Sequence, residues 1–290
     1  MRIKRVILML ICALAAGACD SGLENKTEPD VVFVTTPHKV VREMLKLAGV
    51  TKDDVVYDLG SGDGRIVIAA ARDFGARGVG VDIDPKLIAE STENARKAVV
   101  SERITFIEQD VLKVDISQAT VIALYMLPAM NKQLLPKFFR ELQPGTRVIS
   151  HRFLIGDWKP DMTLNAHDTT IYLWIIPADV HGDWRITMWN DKETRDYLLT
   201  LQQTYQELQG FLKDDRRKFS VAATKLQGKE IVITVADTVV GQRFLMELDG
   251  SMNGDMLEGT ARVTDAQHPL SVSYSWRAVR GAASLEHADH

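Results

Sequence analysis

Three glycines at two-residue spacing, Gly60, Gly62 and Gly64, follow an aspartate, Asp58, which closes the apolar run Val55, Val56, Tyr57. Glycine has no Cβ, so such a loop can turn sharply and let a ligand approach the backbone closely. A helix starting near Arg65 would add free N–H groups and the positive end of its dipole. The chemistry this suits is holding a cofactor. A dinucleotide fingerprint, G-x-G-x-x-G, would need its third glycine at 65, where this chain has arginine. Asp82 stands at the end of a second short apolar run, eighteen positions after Gly64. A carboxylate there can accept hydrogen bonds from a ribose diol. A third run, residues 104–107, leads to Asp110. Either acid alone reads as a solvated strand end, and it is their joint spacing with the glycines that points to a nucleoside-bearing cofactor.

The elements that must position these residues alternate. The pattern predicts strands at 54–58, 78–82, 104–107, 120–125 and 146–150, and helices at 64–73, 85–98 and 130–142. Alternation of this kind predicts an α/β fold with a mainly parallel sheet. Runs near 162–167 and 170–176 would close it as an antiparallel hairpin. Upstream, residues 37–47 carry an apolar stripe of helical period, with Thr36 as candidate cap and Pro37 in the first turn. This helix is either packing against the sheet or part of a lid that begins at residues 33–37.

The G-x-G-x-G arrangement after Asp58 resembles motif I of the class I S-adenosylmethionine (SAM) methyltransferases. The resemblance implies a Rossmann-like seven-stranded sheet, with SAM held by Asp58, Gly60, Ser61, Gly62, Gly64 and Asp82, and with Asp110 on the adenine amino group. It places the methyl acceptor beyond the fourth strand, at Tyr125, Leu127 and Pro128. That loop lacks the Asn or Asp of an N-P-P-Y motif, which argues against nucleic-acid bases as acceptors. The pieces at 33–37, 58–67, 127–128, 145–153 and 158–160 resemble the small protein-lysine methyltransferases acting on mitochondrial ATP synthase c-subunit and adenine nucleotide translocase. They imply a protein lysine as acceptor. The alternative from another class is a non-catalytic envelope lipoprotein that binds a ligand or partner on the same fold.

From residue 179 the pattern changes to short strand-like runs, beginning at Trp184, Tyr197, Phe219, Ile231, Phe244 and Val272. Gly182, Gly210, Gly228, Gly241, Gly250 and Gly254 read as the turns between them. This predicts a small antiparallel barrel or sandwich over 179–280, its Trp and Tyr residues filling the core. A polar tail, 281–290, follows, with His287 and His290 too sparse for a metal site.

The chain has 290 residues, 46% hydrophobic and 26% charged, with a net charge of −4. This is ordinary globular composition, and it offers no global basic field for nucleic acid. At the N-terminus Arg2, Lys4 and Arg5 precede an apolar run, residues 6–18, and then Cys19. The run is too short to span a bilayer and reads as a signal-peptide core, residues 1–18. Cys19 matches a lipoprotein box, and only Cys12, inside the run, could otherwise pair with it. The expectation is export to the cell envelope, with Cys19 lipidated or, since residues 16–18 would also suit ordinary signal peptidase, with the protein periplasmic, residues 19–30 as tether and 31–178 as the cofactor-binding domain. If the signal is not used, the protein is cytoplasmic.

Overall fold

A computed structural model describes residues 35–239, 242–265 and 270–281. The expectations for the signal segment, Cys19, the tether, Phe33, Val34, Gly241, His287 and His290 lie outside these residues. Helix α1, His38–Leu47, buries Val40, Val41, Met44 and Leu45. Its flanking residue is Pro37, without a side-chain cap bond. Thr36 does not cap it, because the Thr36 hydroxyl is engaged 3.2 Å from His151 Nδ1.

Five parallel strands follow: β1 Val55–Leu59, β2 Arg77–Asp82, β3 Ile104–Glu108, β4 Val121–Leu124 and β5 Arg147–His151. Helices α2 Arg65–Phe74, α3 Pro85–Lys97 and α4 Pro128–Glu141 connect them. The hairpin strands β6 Met162–Ala166 and β7 Thr169–Ile175 complete a seven-stranded sheet ordered β3-β2-β1-β4-β5-β7-β6. The inner strands are buried on both faces, which is why β4 reads as an unbroken apolar run and β1 as one interrupted only by Asp58. One face packs on α1 and α2 through Val41, Leu45, Ile66 and Ala70, the other on α4 through Leu134 and Phe138. Helix α4 starts two residues earlier than its pattern suggested. Pro128 takes the first helical position, where its missing N–H costs nothing.

Eight antiparallel strands come next: β8 Gly182–Trp189, β9 Thr194–Thr204, β10 Glu207–Lys213, β11 Lys218–Gln227, β12 Glu230–Val239, β13 Gln242–Asn253, β14 Met256–Thr264 and β15 Val272–Arg280. Each pairs with the next, and β15 returns to β8, so the sheet closes into a barrel. Trp184, Ile186 and Met188 alternate inward along β8 while Arg185, Thr187 and Trp189 face out. Trp184, Trp276, Phe219 and Met246 help fill the interior. Two expected turns are corrected. Gly210 and Gly250 lie inside β10 and β13, because other chain passes too close for a side chain. A Cβ on Gly210 would sit 2.0 Å from the Thr200 carbonyl oxygen, and one on Gly250 would sit 2.5 Å from that of Glu258.

The barrel joins the sheet at the edge opposite the glycine loop. Ala178 N–H donates to the Gly228 carbonyl at 2.7 Å, and Gly228 lies against Gly145, just before β5. The β9–β10 turn docks there too. Trp158 Nε1 donates to Gln206 Oε1 at 2.7 Å, Gln206 Nε2 donates to the Lys159 carbonyl, and Tyr205 OH donates to Asp157.

Candidate functional site

The site lies where β1, β2, β4 and β5 end. Gly60, Gly62 and Gly64 all adopt positive φ, +78°, +53° and +79°. The loop folds back on the second strand: Gly60 and Ser61 N–H groups donate to the Val81 carbonyl at 2.8 and 2.9 Å. Gly62 N–H donates to Asp82 Oδ2 at 2.9 Å, so the sequence-predicted aspartate and glycine loop form one unit. Asp82 Oδ1 accepts from Asp84 N–H, which shapes the turn into α3. Each oxygen keeps a lone pair for a further donor. Ile83, beside it, is 65% exposed, a large apolar side chain left open at a strand end.

Two features mark the loop as built for a ligand. Ser61 Oγ is buried without a hydrogen-bond partner among the described residues. Asp58, at the end of β1, is only 2% exposed. Burial, then repulsion from Asp82 and Asp63, pushes its carboxyl well above the usual carboxylate range, and no hydrogen bond offsets them. A cation placed above it would relieve that cost. Small residues hold the cradle open from behind. A Cβ on Gly80 would lie 2.5 Å from the Phe106 ring and 2.9 Å from Ser61 Oγ.

Asp110 reaches the same rim through the backbone, since Gln109 N–H donates to the Asp82 carbonyl. Its carboxylate accepts from Leu112 N–H at 2.9 Å and lies 3.7 Å from Lys113 Nζ.

The loop after β4 lies against the glycines: Met126 Sδ would be 3.4 Å from a Cβ on Gly60. Tyr125 packs against His151 with ring centroids 4.2 Å apart and tilted by 32°, and stacks on Phe153 at 6.0 Å. Leu127 is 56% exposed. Of the candidate acceptor residues, Tyr125 and Leu127 are in the loop, whereas Pro128 already belongs to α4.

Sequence reasoning assigned no role to the residues that bind these pieces together. Arg65 pairs with Asp63 and donates from Nη1 to the Thr36 carbonyl at 2.9 Å. Burial raises the Asp63 carboxyl, but hydrogen bonding and attraction from Arg65 outweigh it and leave it below the ordinary value. His151 spans Thr36 Oγ1 on Nδ1 and Thr169 Oγ1, 3.0 Å from Nε2. Burial and the neighbouring Arg152 lower its pKa, so the neutral imidazole is favoured. Thus Thr36, just before α1, is tied to both Arg65 and His151. Buried Asn131 holds the loop after β5 by donating to the Leu154 carbonyl, and its own Oδ1 has no partner among the described residues. The signal for Arg65 was its position directly after the glycines. His151 carried none, since its two partners lie 115 and 18 residues away.

Comparison with known proteins agrees with this geometry. The ANTKMT methyltransferase domain family matches residues 58–162. A protein-lysine N-methyltransferase of Saccharolobus islandicus is 46% identical over 153 residues, covering 51% of this chain and 95% of its own. The ATP synthase c-subunit lysine N-methyltransferase of Xenopus laevis is 33% identical, covering 59% of this chain and 74% of its own. Among solved structures, an RNA methyltransferase from Salinibacter ruber in complex with S-adenosyl-L-homocysteine is 51% identical, with a TM-score of 0.50. It covers 51% of this chain and 96% of its own.

Proposed function

This chain belongs to the ANTKMT methyltransferase family, and from that premise we infer that it transfers the methyl group of SAM to the side-chain amine of a protein lysine. It is a SAM-dependent methyltransferase, and the acceptor is the inferred part. The observation that carries the acceptor is the 46% identity to a protein-lysine N-methyltransferase over 95% of that protein's length.

The cradle fits the cofactor. Asp58 supplies a buried carboxylate for a cationic ligand, Gly62 and Gly64 bring the backbone close, Asp82 offers acceptors to a ribose, and Ile83 offers an apolar face to a purine. Asp110, next to Gln109 on the same rim, would accept from the adenine amino group. SAM supplies an activated methyl group for in-line displacement, so the protein's work is orientation and exclusion of water. A lysine starts with a pKa of about 10.4 and must arrive neutral. An apolar wall of Tyr125, Phe153 and Leu127 would favour the uncharged amine by desolvation. Both His151 nitrogens are occupied by threonine hydroxyls, so His151 serves as a brace between Thr36 and Thr169.

The test incubates the full chain with radiolabelled SAM and lysine-rich protein substrates, followed by amino-acid analysis for methyl-lysine. Gly62→Val should abolish transfer, because a β-branched residue is strained at its φ of +53° and would project toward the cofactor. Label found wholly outside lysine refutes the reading. One observation favours a second acceptor, the RNA methyltransferase name of the 51% identical structure. Label released by ribonuclease and retained after protease would support RNA, against which the net charge of −4 speaks.

We also propose export and lipid anchoring at Cys19, supported by Arg2, Lys4 and Arg5 ahead of the apolar run. Radioactive palmitate should label the wild type and not Cys19→Ser. A soluble cytoplasmic pool retaining Met1 would overturn it.

A further inference from the structure

Helix α4 turns an amide into the core where its pattern asks for an apolar side chain. Asn131, Leu134 and Phe138 recur at the spacing of one buried helix face, and Leu134 and Phe138 pack on the sheet. Asn131 is as fully buried as they are. A leucine there would fill a similar volume and leave no polar atom unpaired, so the fold alone does not call for asparagine. The amide meets one partner: Nδ2 donates to the Leu154 carbonyl at 3.3 Å, while Oδ1 has none among the described residues. A buried acceptor without a donor asks for a reason outside stability.

The bonds of Asn131 reach both walls of the acceptor site. Its backbone N–H donates to the Leu127 carbonyl at 3.1 Å, one turn back in the loop after β4. Its Nδ2 holds Leu154, next to Phe153 in the loop after β5. The two loops meet where Phe153 stacks on Tyr125. Each leaves a large apolar side chain open, Leu127 at 56% and Leu154 at 43% exposure. The second loop is strained where it leaves β5, with Arg152 in the left-handed region at φ +71°. A residue with a side chain stays there only when its surroundings over-determine the turn. Ser150 Oγ, donating to the Phe153 carbonyl at 2.7 Å, and Asn131, donating to the next carbonyl, are successive clamps on it.

We propose that Asn131 is a positioning residue for methyl transfer: it ties the loop after β4 to the loop after β5 and so sets where the acceptor amine stands relative to the methyl group of SAM. It acts through Leu127 and Leu154 rather than on the reactants. The proposal rests on the placement of the acceptor between these loops given above, and not on the acceptor's being lysine. In-line displacement tolerates little misplacement, so a wall that shifts by about 1 Å costs rate rather than cofactor affinity.

The test compares Asn131→Leu with the wild type in the full chain. The melting temperature should be at or above the wild-type value and SAM affinity unchanged, which together report an intact fold and cradle. With radiolabelled SAM and saturating lysine-rich protein, kcat should fall about tenfold or more while KM moves little. Amide exchange over residues 152–156, measured without substrate, should quicken, because the Leu154 carbonyl loses its donor. The proposal is overturned by kcat at the wild-type level, by unchanged exchange, or by a melting temperature and SAM affinity that fall together with kcat, the mark of a merely structural role. If the wild type methylates RNA instead of protein, the lysine reading fails alone and the same kcat ratio is taken on RNA. If the wild type transfers methyl groups to neither, both fail.

Discussion

Gly64→Ala tests the cradle most directly. Gly64 sits at φ +79° and caps α2. A Cβ built there would lie 2.8 and 2.9 Å from Phe106 ring atoms and 2.9 Å from Ser91 Cβ. Two separable costs follow. Holding a non-glycine residue in the left-handed region costs about 1–2 kcal/mol. Forcing a methyl group into a filled space costs about 1–3 kcal/mol. The variant should therefore lose roughly 2–5 kcal/mol if the two terms add. Phe106→Leu in the same background should return the Phe106 share of the packing part alone, because leucine vacates the ring atoms but leaves the Ser91 contact and φ unchanged. Urea unfolding of all four corners of the cycle, followed by circular dichroism, measures both terms. A Gly64→Ala variant within about 0.5 kcal/mol of wild type would refute the reasoning, since that is the range of an ordinary surface change. Complete rescue by Phe106→Leu would refute the backbone term.

Asp58→Asn should stabilise the free chain at neutral pH and weaken SAM binding. The folded pKa of Asp58 is raised, so its contribution to stability is present below the ordinary value of 3.8 and is lost as pH rises through the folded value. Melting curves with and without SAM across pH should show that slope in the wild type and not in the variant. His151 has the opposite sense for a base: its folded pKa is lowered, so stability is present above the ordinary 6.5 and is lost as pH falls toward the folded value. His151→Leu should abolish that acid-side loss while loosening Thr36, read as faster amide exchange in residues 35–40. Gln206→Ala leaves the buried Trp158 Nε1 without an acceptor, which should cost about 1–3 kcal/mol in thermal or urea unfolding.

The sheet was legible because its signals are local. Asp58, the three glycines and Asp82 lie on consecutive elements, and Gly62 N–H meets Asp82 across only twenty positions. Helices and strands fell within a few residues of their pattern for the same reason. The barrel was legible as antiparallel β but not in detail. Strands β10 and β14 were missed and β13 was cut short; Gly210 and Gly250 resemble turns, although both are glycine to admit neighbouring backbone. His151 escaped notice because its neighbours Thr36, Tyr125 and Thr169 come from three separate elements. Ser61 and Asn131 are ordinary polar residues in a sequence, and only burial exposes their missing partners.

The position of the barrel constrains what it can contribute. The family match ends at residue 162, before the first barrel strand. A relative that aligns over 95% of its own length needs only 51% of this chain to do so. The family match thus falls within the sheet and its loops, including the cradle. The barrel meets the sheet beside Gly145 and Trp158, whereas the glycine loop follows the opposite ends of the parallel strands. A side chain on the barrel therefore has no short route to the transferred methyl group. Its interior is filled by Trp184, Trp276 and their neighbours, so among the described residues it holds no central ligand cavity either. What remains is its outer wall, and binding there alters how long a partner stays rather than how fast a bound methyl group moves. Substitutions on that outer wall should accordingly leave kcat unchanged, any effect falling on KM for a macromolecular acceptor. A fall in kcat at saturating acceptor would show that the barrel reaches the chemistry after all.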